Sequence, residues 1–499
     1  MAFIQGKIPM RVKLIHGFGA VAFGVKDGGF LFFLLFYYSQ VLGMDAGLVG
    51  LILLGALLID AFVDPIIGYL SDRTYTRWGR RLPWLYAAPI PLACLWMLLW
   101  SPPGGVAPSP LGLLGIMVGV RVLLSACEVP SVSLVPELTS DYSERTTLFR
   151  YRYLSGWMGG IVMMILAYTV FMPGENGLLT QDGYGAYGAF GAVLMAVAVL
   201  GSAIGQHRIV AQLPETRPAP FNLKDAFTEI KEAFSEKAFL IFAAGGLAAY
   251  ISQGMTFSIT NYLNIYVWQL DRVTFEWAPA WLNGLTAYPF ILGVSVVGMF
   301  LLVGPMHERY GKPKSAAIAA IVALVIALVP YALFLLGAWP EIASLSSTAL
   351  YFGFIIFANM FGVVIMISAS SMVAEIVEAF EERTGRRAEA AFYSGNWLVQ
   401  KCATGLGAAF TGQIVALSQL EQGADPTTVS MSVLATMILT FAAASIVLAL
   451  LAAFWLGRFP ITREEHEARV AARKAADTTS ASTSDASANT GTRKASLAR

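Results

Sequence analysis

The chain has 499 residues and a net charge of +1, and it combines 57% hydrophobic residues with only 13% charged residues. Its mean hydropathy is +0.64. Soluble domains carry about 25% charged residues, so this composition excludes an ordinary soluble protein and indicates a membrane protein. The near-zero net charge provides no basic field for nucleic acid, and the three cysteines show neither a disulfide framework nor metal-ligand spacing.

Apolar runs of about 20 residues, the length that crosses a bilayer as a helix, recur along the chain. Twelve of them predict an all-α membrane protein with twelve transmembrane helices. The predicted spans are 15–42, 46–70, 83–101, 110–136, 153–173, 185–210, 238–268, 283–305, 315–338, 347–374, 391–418 and 429–457.

A polar, proline-containing stretch at 211–237 divides the spans into six and six. We therefore predict an N-terminal six-helix bundle at 1–210, a cytoplasmic linker at 211–237 and a C-terminal six-helix bundle at 238–457. The tail at 458–499 becomes charged and then rich in Ser, Thr and Ala, so it has too little apolar surface to order and is predicted to be disordered.

Lysine and arginine concentrate in one set of loops, from Lys7 through 73–81 and 309–314 to the tail, whereas the opposite loops hold only Arg272. The positive-inside rule then places both termini in the cytoplasm, which requires an even number of spans.

The predicted cytoplasmic ends of spans two and eight carry a similar motif. Gly68 is followed by Asp72 and Arg73, and Gly304 is followed by Glu308 and Arg309. The repeated motif resembles the loop signature of the major facilitator superfamily. The resemblance implies a fold of two pseudo-symmetric six-helix halves. An acid and an arginine at each place can pair across the cytoplasmic ends, so we predict a cytoplasmic gate there. Such repeats put the substrate site near the bilayer midplane, between the halves.

Charged residues also lie inside the predicted spans, where each costs about 3 kcal/mol on insertion scales and indicates a functional site. They are Lys26, Asp27, Asp60, Asp64, Arg121, Glu128 and Lys401. Four acids and three bases nearly balance, as expected if they share one polar cavity.

Asp60 and Asp64 are four residues apart and face one side of their helix. Two such carboxylates repel each other unless a proton or a cation lies between them, and oxygen ligands suit a hard cation such as Na⁺. Ser125 is positioned to add a hydroxyl. The alternative is permanent neutralisation of the two acids by Lys26 or Lys401.

Three further charges have interpretations of their own. Arg121 either binds an anionic group of the substrate or balances internal charge, and Glu128, two turns later, either accepts substrate hydroxyls or balances the cation site. Lys401 is about ten residues into its span and needs an acidic partner, for which Asp60 and Asp64 are the natural candidates.

These residues resemble the glycoside–pentoside–hexuronide:cation symporter family, which has the major facilitator fold. The stretch DAFVDPIIGYLSDRTYTRWGRRLPW at 60–84 matches the family pattern D-x-x-x-D-P-x-x-G followed by R-W-G-[RK]-x-x-P-W. Further matches are Lys26-Asp27, Glu128-x-Pro130 with the Ser-Leu-Val-Pro after it, Thr384-Gly385-Arg386-Arg387, and Lys401.

The resemblance implies roles at matching positions. Asp60, Asp64 and Ser125 would hold the coupling cation, Na⁺ or H⁺, and Lys401 would link this site to the conformational change. The substrate would contact Asp27 and Glu128, together with Lys26, Arg121 and Arg152, the last near a family arginine at the cytoplasmic side of the cavity.

The sequence departs from the melibiose-type members at three places. Val63 stands where they have asparagine, which leaves proton coupling open. Val132 stands where they have a sugar-stacking tryptophan, and Arg121 replaces a small residue. A cavity without its aromatic platform and with an added cation favours a uronide or an amphipathic anion over a neutral galactoside.

The predicted function is cation-coupled symport of a small organic solute, a sugar or anionic sugar derivative, by alternating access in a bacterial inner membrane. The alternatives are transport of an amphipathic anion or lysolipid, and a membrane sensor without transport. An enzyme is not expected, because the four histidines lie at span ends or in loops. We expect a monomer in the lipid bilayer, with no cofactor besides the coupling ion.

Overall fold

The computed structural model describes residues 7–139, 141–211, 231–275, 278–279, 281–385 and 388–461. Across these ranges the chain is helical, and the one β-type contact is an isolated bridge between Thr274 and Asn283. The predicted tail from residue 462 onward and most of the predicted linker, residues 212–230, lie outside the described residues.

The first half of the chain forms six long segments. They are α1 (Met10–Val41), α2 (Ala46–Asp72), α3 (Leu82–Gly105), α4 (Pro110–Leu138), α5 (Ser143–Phe171) and α6 (Asp182–Val210). Asp45 caps α2 by accepting from Leu48 N–H, and Ser109 caps α4 in the same way, with proline at the first position of the helix. Segment α1 contains π-helical turns at Gly29–Phe33 and Tyr37–Val41, the first beginning two residues after Asp27.

The second half forms six further helical segments. They are α7 (Lys237–Val267), α8 (Gly284–Gly298), α9 (Phe300–Leu335), α10 (Leu345–Thr384), α11 (Glu389–Ser418) and α12 (Met431–Leu456). By length and hydropathy, ten stretches in the described ranges qualify as membrane spans. The combined stretch Gly284–Leu335 counts once among them and α11 is not among them.

The chain turns sharply inside α9, at Gly311. This glycine has φ 73° and ψ 166°, a conformation that other residues rarely adopt. Ser315 Oγ donates to the carbonyl of Met306 at 2.8 Å, although nine residues of straight helix would hold these positions about 13 Å apart. The helical stretch before Gly311 therefore folds back against the stretch after it.

Helix packing brings the middle of α2 between two partners. It packs against α4 of the first half and against α11 of the second half, while α7 packs on α11 and on α12. The contact between α2 and α11 is close because Gly50 faces the backbone of Ala408 and Gly412 faces that of Ala46. The residues halfway along α2 thus lie where the two halves of the chain meet.

The two halves also join through buried polar contacts at one end of the molecule, here called the closed end, which carries residues 41–45, 172–181 and 419–430. Tyr266 donates to Gln40 at 2.8 Å, and the backbone N–H of Asn176 donates to Asp271 at 2.9 Å. Slightly deeper, Asn261 accepts from Tyr168 at 2.7 Å. These contacts hold α1 and α5 against α7 and the loop after it.

Candidate functional site

Two acids and one hydroxyl meet halfway along α2. Ser125 Oγ on α4 lies 3.1 Å from Asp60 Oδ1 and 2.6 Å from Asp64 Oδ1. The four-residue spacing on α2 turns both carboxylates toward the same face of α4, as the sequence predicts. Three oxygens therefore converge within hydrogen-bond distance of one another.

The Ser125 hydroxyl has a single hydrogen, so it donates to only one of the two carboxylates. The other oxygen–oxygen contact brings a lone pair against a lone pair unless a proton or a cation is shared there. A shared proton or a hard cation would relieve this contact.

Two bases neutralise the carboxylates. Arg121 Nη1 on α4 donates to Asp60 Oδ2 at 2.9 Å, and Lys401 Nζ on α11 donates to the same oxygen at 2.9 Å. Lys401 also makes a short ion pair with Asp64. The sequence places Lys401 with these two acids, and the structure brings them together across the boundary between the halves.

The four charged groups differ in access. Asp60 is 4% exposed, whereas the side chain of Asp64 is 31% exposed and that of Lys401 is 28% exposed. A charged group exposed at mid-span is costly against lipid, so its exposed face belongs to a polar opening. The opening therefore reaches Asp64 and Lys401 and stops before Asp60.

A second group of charges lies next to this cluster. Lys26 pairs with Asp27, whose side chain is 56% exposed. Glu128, half-buried on α4, lies within electrostatic range of both of them and of Lys401 and Arg152. These are the residues for which the sequence predicts substrate contact, and the structure places them around one region.

Arg152 on α5 is buried beside this second group. Its Nη1 donates to Ser131 at 2.6 Å, and its guanidinium lies 5.5 Å from the ring centroid of Phe23. With Arg152 included, the acids Asp27, Asp60, Asp64 and Glu128 are matched by the bases Lys26, Arg121, Arg152 and Lys401. The named charges balance four against four.

The structure places Arg121 on Asp60 and not toward Glu128. Of the two roles that the sequence leaves open for Arg121, this contact supports balance of internal charge. The choice of partner depends on how α2 and α4 rotate against each other, which spacing along α4 alone does not determine.

The predicted gate residues make local contacts. Asp72 forms a short ion pair with Arg81, nine residues later in the same half of the chain, and Arg73 lies over the ring of Tyr69. Glu308 and Arg309 are exposed on α9, with Arg309 over the ring of Tyr310. Asp72 thus pairs with Arg81 of its own half, which differs from the predicted pairing across the ends of the halves.

Sequence reasoning missed the polar residues of the closed end. Asn261 is fully buried and donates to the carbonyl of Phe32 at 2.8 Å while it accepts from Tyr168. Asp271 and Arg272 flank the same region, where Arg272 pairs with Asp425 at 3.2 Å and with Glu175 at 3.9 Å. A search for uncharged amides within apolar runs would have found Asn261, since a buried amide needs partners just as a buried charge does.

Two bacterial proteins are similar to this chain in sequence. An uncharacterized symporter of the cyanobacterium Synechocystis is 32% identical over 251 residues, which are 48% of this chain and 46% of that protein. The isoprimeverose transporter of Lactiplantibacillus pentosus is 27% identical over 77% of this chain and 75% of its own length. The chain spans about half the length of the first of these relatives and three quarters of the second.

A solved structure resembles the fold of this chain, and a family model matches nearly its whole length. The crystal structure of the nucleoside transporter NupG superimposes with a TM-score of 0.60 at 17% identity, covering 89% of this chain and 99% of that one. Residues 15–463 match the family model described as MFS/sugar transport protein. The chain, which carries multiple candidate membrane-spanning helices, belongs to this MFS/sugar transport protein family.

Proposed function

We propose that the protein is a cation-coupled symporter that imports a sugar or an anionic sugar derivative by alternating access. The observation that carries this proposal is the contact of Lys401, on α11, with Asp60 and Asp64, on α2. A charge cluster shared between the halves ties the protonation or ion occupancy of two carboxylates to how the halves pack.

The proposed topology has twelve transmembrane helices and both termini in the cytoplasm. The stretch Gly284–Leu335 is 52 residues long, which is about 78 Å of helix and enough for two crossings joined at Gly311. Segment α11 has 30 residues and adds one crossing; its mean hydropathy is lowered by polar residues such as Asn396 and Lys401. The N-terminal half is then 1–210 and the C-terminal half 238–457, joined by the linker 211–237, in a bacterial inner membrane.

In this orientation the closed end faces away from the cytoplasm. The polar opening at Asp64 and Lys401 then leads to the cytoplasm, and the structure corresponds to an inward-facing state. The pairs of the closed end, such as Gln40 with Tyr266, must separate for substrate to enter from outside.

Coupling follows from the charge of the cluster. The proposed cation, Na⁺ or H⁺, binds at Asp60, Asp64 and Ser125 and takes over the neutralisation that Lys401 provides in this state. The cation thereby weakens the contact between α2 and α11. The energetic reason is that two bare carboxylates are costly to enclose in a low-dielectric site, so the halves close around them only when a cation or Lys401 is present.

The proposed substrate site is the second group of charges. Carboxylates accept hydrogen bonds from sugar hydroxyls, and Asp27 and Glu128 supply two of them, with Lys26 and Arg152 beside them. The exposed side chain of Asp27 marks the accessible side of this group. The name of the isoprimeverose transporter, a relative over three quarters of its length, supports a saccharide.

The test uses purified full-length protein in proteoliposomes with an imposed Na⁺ gradient, an imposed proton gradient, or neither. The solutes are neutral disaccharides, pentosides, uronides, organic anions and a lysophospholipid, each radiolabelled. We expect at least one saccharide to accumulate above its external concentration only when a cation gradient is present. Accumulation of the lysophospholipid alone would replace the saccharide proposal, and no accumulation of any solute would contradict symport.

The variants Asp60→Asn and Asp64→Asn separate coupling from binding. Each is expected to abolish accumulation while substrate exchange at equilibrium continues, because the coupling carboxylates are distinct from Asp27 and Glu128. Asp182→Asn is the matched control, since Asp182 is an exposed acid at the start of α6. Full accumulation by either of the first two variants would refute the assignment of the cation site.

A further inference from the structure

Arg121 engages the site that a sodium ion would need. Its Nη1 donates to Asp60 Oδ2 at 2.9 Å, and both side chains are more than nine-tenths buried. The guanidinium also lies 4.7 Å from the ring centroid of Phe30 on α1, a position in which the aromatic face stabilises a cation. Arg121 is therefore held on two sides within the packed interior.

While Lys401 is in contact, the cluster is neutral and needs no additional cation. Asp60 and Asp64 contribute two negative charges, and Arg121 and Lys401 contribute two positive ones. Lys26 also lies within electrostatic range of Asp60. When Lys401 is displaced, the cluster needs one further positive charge, which a proton or a sodium ion would supply equally. The two differ in the ligands they need. A hard cation such as Na⁺ needs several oxygens at once, and Arg121 still occupies Asp60 Oδ2, whereas a proton needs a single oxygen such as one of Asp64.

The two bases differ in what happens when the halves move. Arg121 lies on α4, which packs against α2 within the same half of the chain, so its pair with Asp60 moves as one body. Lys401 lies on α11 in the other half, so its pairs with Asp60 and Asp64 break when the halves separate. In the proposed cycle Lys401 is therefore displaced from the acids while Arg121 stays on Asp60.

We infer that Arg121 is a built-in cation that replaces sodium at Asp60, so that this protein neither binds nor requires Na⁺. The inference rests on the proposed function, because it takes Asp60 and Asp64 as the cation site of a symporter. It makes Arg121 the residue that determines ion specificity. Of the two coupling cations proposed, sodium is the one that this arrangement excludes.

The test is a sodium titration of the purified full-length protein, which needs no knowledge of the substrate. Thermal unfolding is followed with increasing NaCl against N-methyl-D-glucamine chloride at constant ionic strength and pH. The wild-type protein is expected to show the same Tm in both salts. Arg121→Gln and Arg121→Gly are each expected to gain a sodium-specific rise of about 3 °C at saturation, because they free Asp60 Oδ2 from the guanidinium and leave the cluster short of one positive charge.

Two matched variants control this result. Arg121→Lys retains the positive charge and is expected to behave as the wild type does. Asp60→Asn placed on the Arg121→Gln background is expected to abolish the gained response, which assigns that response to this site. Using both Gln and Gly ensures that one neutral variant remains measurable if the other unfolds.

A sodium-specific rise in the wild type equal to that of the neutral variants would overturn the inference, and so would the absence of a gain in both neutral variants. A sodium response of the wild type would leave symport standing, now with Na⁺ as the coupling ion. Conversely, failure of every solute to accumulate would contradict symport without changing the sodium titration, so the two failures are distinguishable.

Discussion

Lys401 and Asp60 are 341 residues apart in the sequence, yet the amine of Lys401 donates to Asp60 Oδ2 at 2.9 Å. This contact joins α11 to α2 at mid-span and is a charged link between the halves that lies away from the closed end. Its loss must therefore affect both the stability of this state and the coupling of cation to movement.

Lys401→Gln is expected to lower the stability of the protein and to uncouple transport. Removing one partner leaves Asp60 and Asp64 with a single base, and breaking a buried pair costs about 3 kcal/mol. The expected result is a lower Tm and a loss of gradient-driven accumulation. Lys401→Arg, which retains the charge, should lose less.

The double variant Lys401→Gln with Asp60→Asn tests whether this effect arises from the pair. If it does, the second substitution recovers part of the lost Tm, because the uncompensated charge is gone. Additive losses of Tm in the double variant would contradict a direct coupling of the two residues.

The crossing of α2 and α11 near the closed end is sensitive to side-chain volume. A Cβ at Gly412 would collide with the backbone carbonyl of Ala46, and rigid backbone on both sides leaves little room to adjust. Gly412→Ala is therefore expected to destabilise the closed end and to expose Ser39, which is buried beside Tyr262.

The measurement is the rate of maleimide labelling of Ser39→Cys, with the three natural cysteines replaced. We expect a rise of about tenfold for Gly412→Ala. Gly362→Ala is the matched control, because a Cβ at Gly362 on α10 has no neighbouring atom within 4 Å. Equal labelling in the two glycine variants would show that the crossing does not govern closure.

The spans were predictable from sequence because apolar length reports bilayer thickness. The predicted span 110–136 corresponds to Pro110–Leu138, and 46–70 corresponds to Ala46–Asp72. The helix that contains the predicted span 347–374, α10, continues beyond it to Thr384. Hydropathy marks where a helix leaves lipid, whereas Glu and Ala in EIVEAFEERT are good helix formers that continue the helix beyond it.

The residues of the charge cluster and the pairing of Lys401 were also predictable, but the partner of Arg121 was not. A buried charge needs a partner, so Lys401 was expected to meet Asp60 and Asp64, and it does. Whether Arg121 meets Asp60 or reaches toward Glu128 depends on the rotation of α4 against α2. The closed end was missed because its deep contacts use uncharged residues such as Asn261, which have no signature in a charge pattern.

Asn261 is expected to be a principal residue of the closed end. Asn261→Leu would leave the buried carbonyl of Phe32 and the buried hydroxyl of Tyr168 without their partner, at a cost of about 1–3 kcal/mol. We expect faster labelling of Ser39→Cys and a lower Tm. Tyr168→Phe should have a smaller effect, because it leaves only Asn261 Oδ1 without its donor, while the hydrogen bond from Asn261 to Phe32 remains. A larger effect of Tyr168→Phe would contradict this account.

The pH dependence of the closed end should follow Asp271. This side chain is 2% exposed in the loop after α7, its Oδ2 accepts from the backbone N–H of Asn176, and its Oδ1 has no partner among the described residues. Burial raises the pKa of Asp271, while the Asn176 N–H and the positive charge of Arg272 oppose the rise and Glu175 adds to it. Protonated Asp271 is thus favoured in the closed state over the open one.

The sign of the effect follows from this difference. The cost of burying ionised Asp271 is fully present above the raised pKa and disappears as pH falls through the ordinary value, so closure becomes more favourable at acid pH. The rate of labelling of Ser39→Cys should therefore fall as the pH falls, by up to tenfold for each unit by which the pKa of Asp271 differs between the closed and open states. The rate is normalised to that of Val106→Cys, because Val106 lies in a loop and is 69% exposed. Asp271→Asn retains an acceptor for Asn176 without the charge and should label slowly at every pH. If the pH dependence persisted in Asp271→Asn, another group would have to carry it.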